Sequence, residues 1–148
     1  MVITRRKAIA FALGAATLVA LPASARDYIR RLGEQLGLED RVNEFTGGAD
    51  VVDGEGVVLT APEIAENGNT VPIEVSAPGA SAVIILAMGN PNPGVARCAF
   101  GPLAGSQSFS TRIRLAKSQD VVAIAKLADG SFVRASSPVK VTIGGCGG

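Results

Sequence analysis

From residue 51 onward, short apolar runs alternate with breaks rich in glycine, proline, asparagine and serine. The runs are GVVLT, TVPIEV, SAVIILAM, VARCAF, SFSTRIRL, DVVAIAKL, SFVRA and VKVTI. They are rich in β-branched residues, which suit a pleated, half-buried surface. APEIAENGN, SAPGA, GNPNPG, GPLAGSQ, AKSQ, ADG and SSP separate them. Strands recurring about every 8–12 residues, with turn signals between them, predict an all-β, immunoglobulin-like antiparallel β-sandwich over residues 51–143. Within KLADGSFVRA, Asp129-Gly130 predicts a hairpin turn. AVIILAM and VVAIA are apolar without a break and are expected in the core, with room for a partner to cover part of that surface.

The pattern upstream is different. In RDYIRRLGEQLGLEDRVNE, residues Tyr28, Ile29, Leu32, Leu36 and Val42 recur at helical spacing. Gly33 and Gly37 weaken the helix, so residues 26–50 hold one helix or two short ones, closed by TGGAD with Gly47 as C-cap. Before it, Arg5, Arg6 and Lys7 precede an uncharged apolar stretch from Ala8 to Leu21, then Ala23-Ser24-Ala25. This is the layout of an export signal over residues 1–25, cleaved near Ala25. The apolar stretch is shorter than the roughly 20 residues that span a bilayer, so no permanent membrane helix is expected. Arg5-Arg6 resembles a twin-arginine signal, a route that exports folded proteins; an ordinary secretory signal is the other reading.

Charge and composition narrow the functional classes. Of the 14 basic residues, Arg5, Arg6 and Lys7 leave with the signal, so 11 remain against 13 acidic residues. That balance lacks the positive field of a nucleic-acid binder. There is no histidine among the 148 residues, which removes Ser-His-Asp and Cys-His catalysis and every histidine-containing zinc site.

The candidate chemistry is at the C-terminus. The last strand run, VKVTI, ends at Ile143, and GGCGG follows. Cys146 cannot be a core residue there. Gly144, Gly145, Gly147 and Gly148 have no side-chain bulk and large backbone freedom, so residues 144–148 are expected to form a flexible arm. Cys146 is the third residue after Ile143, a reach of about 10–11 Å. Nothing in GGCGG lowers the thiol pKa, so activation has to come from another protein. A thin arm with a thiol fits a narrow active site in a partner and suits a carrier that keeps its substrate attached. The competing reading is a terminal disulfide. The second cysteine, Cys98, lies in VARCAF, where it reads as a small buried hydrophobe. Its alternative is a bond to Cys146.

With these features the chain resembles the SoxY family, sulfur-carrier subunits of the periplasmic Sox thiosulfate-oxidising system. The resemblance rests on the terminal GGCGG and on four stretches covering much of the mature chain. These are APEIAENGNTVPIEV (Ala61 to Val75), NPNP (Asn90 to Pro93), TRIRLAKSQDVVAIAKLADG (Thr111 to Gly130) and VKVTIGGCGG (Val139 to Gly148). Cys98 stands outside the family motif. The resemblance implies a non-catalytic carrier in the periplasm, paired with a SoxZ-like subunit that has no signal of its own. It implies Cys146 as the substrate-attachment point. A SoxAX-type haem enzyme would couple thiosulfate to it, giving a cysteine S-thiosulfonate. A SoxB-type dimanganese hydrolase would release sulfate, and a SoxCD-type molybdenum and haem dehydrogenase would oxidise the remaining sulfur. The metals would belong to these partners and the carrier would need no cofactor.

Other candidates are weaker. Glu63 and Glu66 form a carboxylate pair, but with no nucleophile or metal near them in sequence they read as part of a solvated turn, with Asn67-Gly68 as its signal. Arg112, Arg114 and Lys117 cluster in STRIRLAKSQ, either as a solvated strand face or as a docking patch for a partner or an anionic sulfur adduct. MGNPNPGV reads as a turn. Two further classes stay in view. A structural or adhesive immunoglobulin-like protein would use the terminal cysteine to cross-link chains. A thiol–disulfide oxidoreductase would need a Cys-x-x-Cys pair, which Cys98 and Cys146 do not form.

Overall fold

A computed structural model describes residues 37–143 of the chain. The architecture is an all-β, immunoglobulin-like sandwich of two sheets with a helix laid on one of them. The elements are the helix over residues 37–46 and nine strands. The strands are β1 (Val51–Asp53), β2 (Val58–Thr60), β3 (Ile64–Ala65), β4 (Val71–Ser76), β5 (Ala80–Ala87), β6 (Gly94–Ala99), β7 (Ser108–Ile113), β8 (Gln119–Leu127) and β9 (Phe132–Val141).

The larger sheet has the order β1-β9-β8-β5-β6, with β3 also paired to β9. The smaller has the order β2-β4-β7. The pairs β5–β6, β5–β8 and β8–β9 are antiparallel, whereas the short β1 and β3 run parallel to β9 along its outer edge. The predicted hairpin joins β8 to β9. Gly130 sits at φ 87°, which favours glycine. Asp129 closes the turn by accepting from the Ser131 amide at 2.9 Å and its hydroxyl at 2.6 Å. Those bonds hold the Asp129 carboxyl below the usual carboxylate range.

Side-chain alternation sorts the larger sheet into two buried faces. Val83, Ile85, Ala87, Val121, Ala123, Ala125, Val133 and Val139 turn toward the smaller sheet, where Val71, Ile73, Val75 and Ile113 meet them. Ala82, Ile84, Leu86, Ile124 and Phe132 turn the other way and pack under Phe45 of the helix. The Phe45 and Phe132 rings meet edge to face at 5.6 Å. A strand buried on both faces reads as an unbroken apolar run, which is why SAVIILAM shows no alternation. β4, open to solvent on one face, does alternate: Val71, Ile73 and Val75 are buried while Pro72 and Glu74 are exposed.

The structure departs from the sequence expectation at SSP. Those residues do not separate two strands; SFVRA and VKVTI belong to one ten-residue strand, β9. The physical reason lies in the direction of one amide. The Lys140 and Thr142 amides point toward the β3 side. By alternation, the nitrogen of Pro138 points to that same edge, between Arg134, which pairs with β1, and Lys140, which pairs with β3. Its missing N–H therefore costs no bond to β8. β1 was not among the strand runs read from the sequence. It pairs with β9 from Val51 to Asp53, and at the end of that pairing the exposed Arg134 guanidinium donates from Nε to Asp53 Oδ1 at 2.6 Å and from Nη2 to Oδ2 at 2.9 Å.

Candidate functional site

The chemistry read from the sequence rests on Cys146 and on Gly144, Gly145, Gly147 and Gly148, which lie outside the described residues, as does the stretch 26–36. What the structure describes is the ground from which that segment leaves. β9 loses its β8 partner after Val139, which pairs with Gln119. The next four residues are gripped by two loops instead.

The first is the Glu63–Thr70 stretch, which begins with β3 and so pairs with β9 before it turns. The Lys140 amide donates to the Glu63 carbonyl at 2.9 Å and the Thr142 amide to the Ala65 carbonyl at 3.0 Å. The Thr142 hydroxyl donates to the Glu66 carbonyl at 2.9 Å. The buried Gly68 then bridges the two sheets. Its amide donates to the Ile143 carbonyl at 2.7 Å, and its carbonyl accepts from the Leu115 amide at 2.8 Å. The turn that presents Gly68 is made by Asn67, whose Oδ1 accepts from the Asn69 amide at 2.9 Å, the side-chain turn expected of Asn-Gly. It is the carbonyls of Glu63 and Glu66, not their carboxylates, that the arrangement uses.

The second loop runs from Arg114 to Ser118. The Ser118 hydroxyl accepts from the Val141 amide at 2.9 Å and donates to the Val141 carbonyl at 3.3 Å. This loop is held by the turn after β5. Asn90 Nδ2 donates to the Arg114 carbonyl at 2.8 Å, and Asn90 Oδ1 accepts from the Ala116 amide and from Gln119 Nε2, each at 2.9 Å. Gln119 Oε1 accepts from the Gly89 amide at 2.6 Å. MGNPNPGV is thus a turn whose Asn90 shapes the neighbouring loop.

Arg112, Arg114 and Lys117 are all exposed, but they do not share one strand face. β7 ends at Ile113, so only Arg112 is a strand residue. It lies on the outer face of the smaller sheet, where it lines a shallow groove with Pro62, Pro72, Glu74 and Ser110. Arg114 and Lys117 belong to the loop beside the departing chain. Among the described residues no three His, Cys, Asp or Glu side chains gather as a metal site. No helix there is long and apolar enough to cross a membrane.

Cys98 sits on β6, the edge strand of the larger sheet. It is half-buried rather than buried, because an edge strand has a neighbour on one side only. It is level with Val133 through Val83 and Ala125. That places it three strands across from β9 and ten residues short of Ile143. At about 4.8 Å per strand and 3.3 Å per residue, Cys98 and Ile143 lie on the order of 30 Å apart. Three residues beyond Ile143 reach about 10–11 Å, and a disulfide spans at most about 7 Å between α-carbons. Cys98 and Cys146 of one chain do not meet while β9 keeps this register.

Sequence reasoning singled out the thiol and its glycines but not Ser118 and Thr142, which hold the chain just before them. The Asn67-Gly68 and NPNP turn signals were visible, but nothing in a linear reading brings residues 66 and 142 together.

The chain matches the family model of the sulfur oxidation protein SoxY over residues 42–146. Among solved structures it is similar to the sulfur carrier protein SoxY from Chlorobium limicola f thiosulfatophilum. That match has 30% identity and a TM-score of 0.65, and covers 77% of this chain and 99% of that one. It is also similar to a superoxide reductase (neelaredoxin) from Ignicoccus hospitalis, at 22% identity and a TM-score of 0.52, covering 59% of this chain and 80% of that one; at that identity the likeness concerns the fold alone. No curated protein sequence matches. The match through residue 146 and the shared sandwich lead to one conclusion: the chain belongs to the SoxY family of sulfur oxidation proteins.

Proposed function

We propose that this protein is a non-catalytic covalent carrier of thiosulfate-derived sulfur, with Cys146 as the attachment point. One observation carries the reading: the chain is tied by hydrogen bonds up to Ile143, three residues before the only cysteine of the C-terminal segment. The anchored end of the sandwich is thus followed directly in sequence by the glycine-flanked thiol. The similarity to a sulfur carrier protein supports the same role.

In the first step the Cys146 thiol and thiosulfate form a sulfur–sulfur bond, releasing one proton and two electrons to a SoxAX-type haem enzyme. The product is a cysteine S-thiosulfonate. A SoxB-type hydrolase then adds water across the terminal sulfur–sulfur bond, releasing sulfate and leaving a persulfide on Cys146. A SoxCD-type dehydrogenase would take the persulfide further. The glycines admit the thiol to each active site in turn, and the sandwich binds a SoxZ-like subunit. Arg114 and Lys117, beside the departing chain, suit docking to an acidic surface or to the anionic adduct; Arg112, on the outer sheet face, is a separate contact. The working compartment is the periplasm, reached by the twin-arginine route after cleavage near Ala25.

The test is intact-protein mass spectrometry on protein purified from cells grown with thiosulfate, with Cys146→Ser as control. The expected result is a set of sulfur-containing adducts on the C-terminal peptide, absent from the control. A homogeneous disulfide-linked dimer carrying no adduct would replace this reading with the structural, cross-linking one.

A further inference from the structure

We infer that Asn67 is a site of covalent self-modification, deamidation through a succinimide, and that the hydrogen bond between Gly68 and Ile143 gates it; the inference stands apart from the carrier reading. Of the five asparagines in the chain, Asn67 alone precedes a glycine. Asn90 and Asn92 precede prolines, which have no amide proton to lose. Asn43 and Asn69 precede Glu44 and Thr70, whose side chains crowd the approach. The reaction joins the Gly68 main-chain nitrogen to Cγ of Asn67. The amide proton leaves that nitrogen, and Nδ2 of Asn67 departs as ammonia. Water then opens the ring at either carbonyl, giving aspartate or isoaspartate. No oxidant or reductant takes part.

The folded chain holds both reacting groups. Asn67 is exposed, but Gly68 is buried. The Gly68 amide donates to the Ile143 carbonyl at 2.7 Å, and its carbonyl accepts from the Leu115 amide at 2.8 Å. Asn67 Oδ1 accepts from the Asn69 amide at 2.9 Å. A nitrogen whose proton is engaged by a carbonyl gives that proton up slowly and cannot turn toward Cγ. Attack therefore needs the Gly68–Ile143 bond to open, while the rest of the sandwich can stay folded. Thr142 keeps that bond shut from the residue next door: its amide donates to the Ala65 carbonyl at 3.0 Å and its hydroxyl to the Glu66 carbonyl at 2.9 Å. The product holds the gate open. Isoaspartate carries the main chain through its β-carbon, which inserts a methylene just before Gly68 and leaves a carboxylate where a neutral amide stood. The turn that presents Gly68 loses its shape, and the Ile143 carbonyl loses its partner. The change runs one way.

The experiment incubates the mature protein at mildly alkaline pH and follows the mass change of the peptide holding Asn67. It compares folded wild type, wild type in urea, and the folded variants Thr142→Pro and Phe132→Ala. Thr142→Pro removes both Thr142 bonds beyond the end of β9, whereas Phe132→Ala weakens the whole sandwich from the other end of that strand. Wild type in urea should deamidate at Asn67 at least about tenfold faster than folded wild type. Thr142→Pro, still folded, should deamidate about tenfold faster than wild type, and its Gly68 amide should exchange hydrogen faster in the same proportion. Phe132→Ala should stay near wild type under conditions where it is folded. Equal rates in folded and urea-unfolded wild type, or no deamidation in urea, would overturn the proposal. So would an unchanged rate in Thr142→Pro, or an acceleration in Phe132→Ala as large as in Thr142→Pro, which would assign protection to global folding and not to this bond.

Discussion

The two ends of β9 are held by different physics. At its start, Phe132 is buried against Phe45, Val133 enters the core between the sheets, and Arg134 grips Asp53 with two bonds. Toward its finish Val139 is still buried in the core, and beyond it residues 140–143 are held mainly by main-chain carbonyls, a glycine amide and two hydroxyls. Apolar burial is non-directional and large, about 1.5–3 kcal/mol for a fully buried large apolar side chain. A net hydrogen bond contributes about 1 kcal/mol but fixes direction. Burial therefore dominates at the start of the strand, and directional hydrogen bonds take over past Val139.

Substitutions can break that division. The largest effect expected is at Cys146. Cys146→Ser should remove every sulfur adduct while leaving the denaturation midpoint at its wild-type value; a shifted midpoint would show that the thiol contributes to the fold. Next is Phe132→Ala, which empties a site against Phe45 and Ile124 and should cost about 3–5 kcal/mol by chemical denaturation. At temperatures where this variant stays folded, its adducts should form as in wild type. The glycines come third. Gly145→Val and Gly147→Val should each slow enzyme-dependent turnover of the adduct several-fold with no change in stability, and turnover at the normal rate in both would refute the need for a thin arm.

The smallest effect concerns acid. The Arg134 guanidinium beside Asp53 holds its carboxyl below the usual carboxylate range. A depressed folded pKa gives stability that is present above the unfolded value, about 3.9. That stability is lost as pH falls through the lower folded value. Asp53→Asn should flatten the stability profile in this acid window and change little at neutral pH, since the pair is exposed. Unequal acid profiles that persist after the substitution would assign the dependence to other carboxylates.

How much of this was legible depends on the range of the interaction. The strand runs and the Asp129-Gly130 turn were readable because alternation and turn chemistry act within a few residues. β5 was readable as core because burial on both faces leaves an unbroken apolar run. β1 and β3 were not, since each is held by β9 from far along the chain: Asp53 needs Arg134, and Ile64 pairs with Lys140. The continuity of β9 through Pro138 was hidden as well, because the direction of the proline nitrogen is a property of the sheet. At the candidate site, Cys146 was legible from composition and position. Ser118 and Thr142 looked like ordinary polar residues, and only the folded chain brings them to Val141 and Glu66.

That meeting has a consequence for how the protein matures. The Thr142 hydroxyl reaches a carbonyl 76 positions earlier in the chain. Contacts of such long sequence separation close late, after much of the chain entropy has been spent. A partly folded copy carries the same cysteine but lacks this junction between residues 63–68, 118 and 140–143. On the carrier reading proposed above, an enzyme that docks on this end of the sandwich would meet its contact surface only on a fully folded copy.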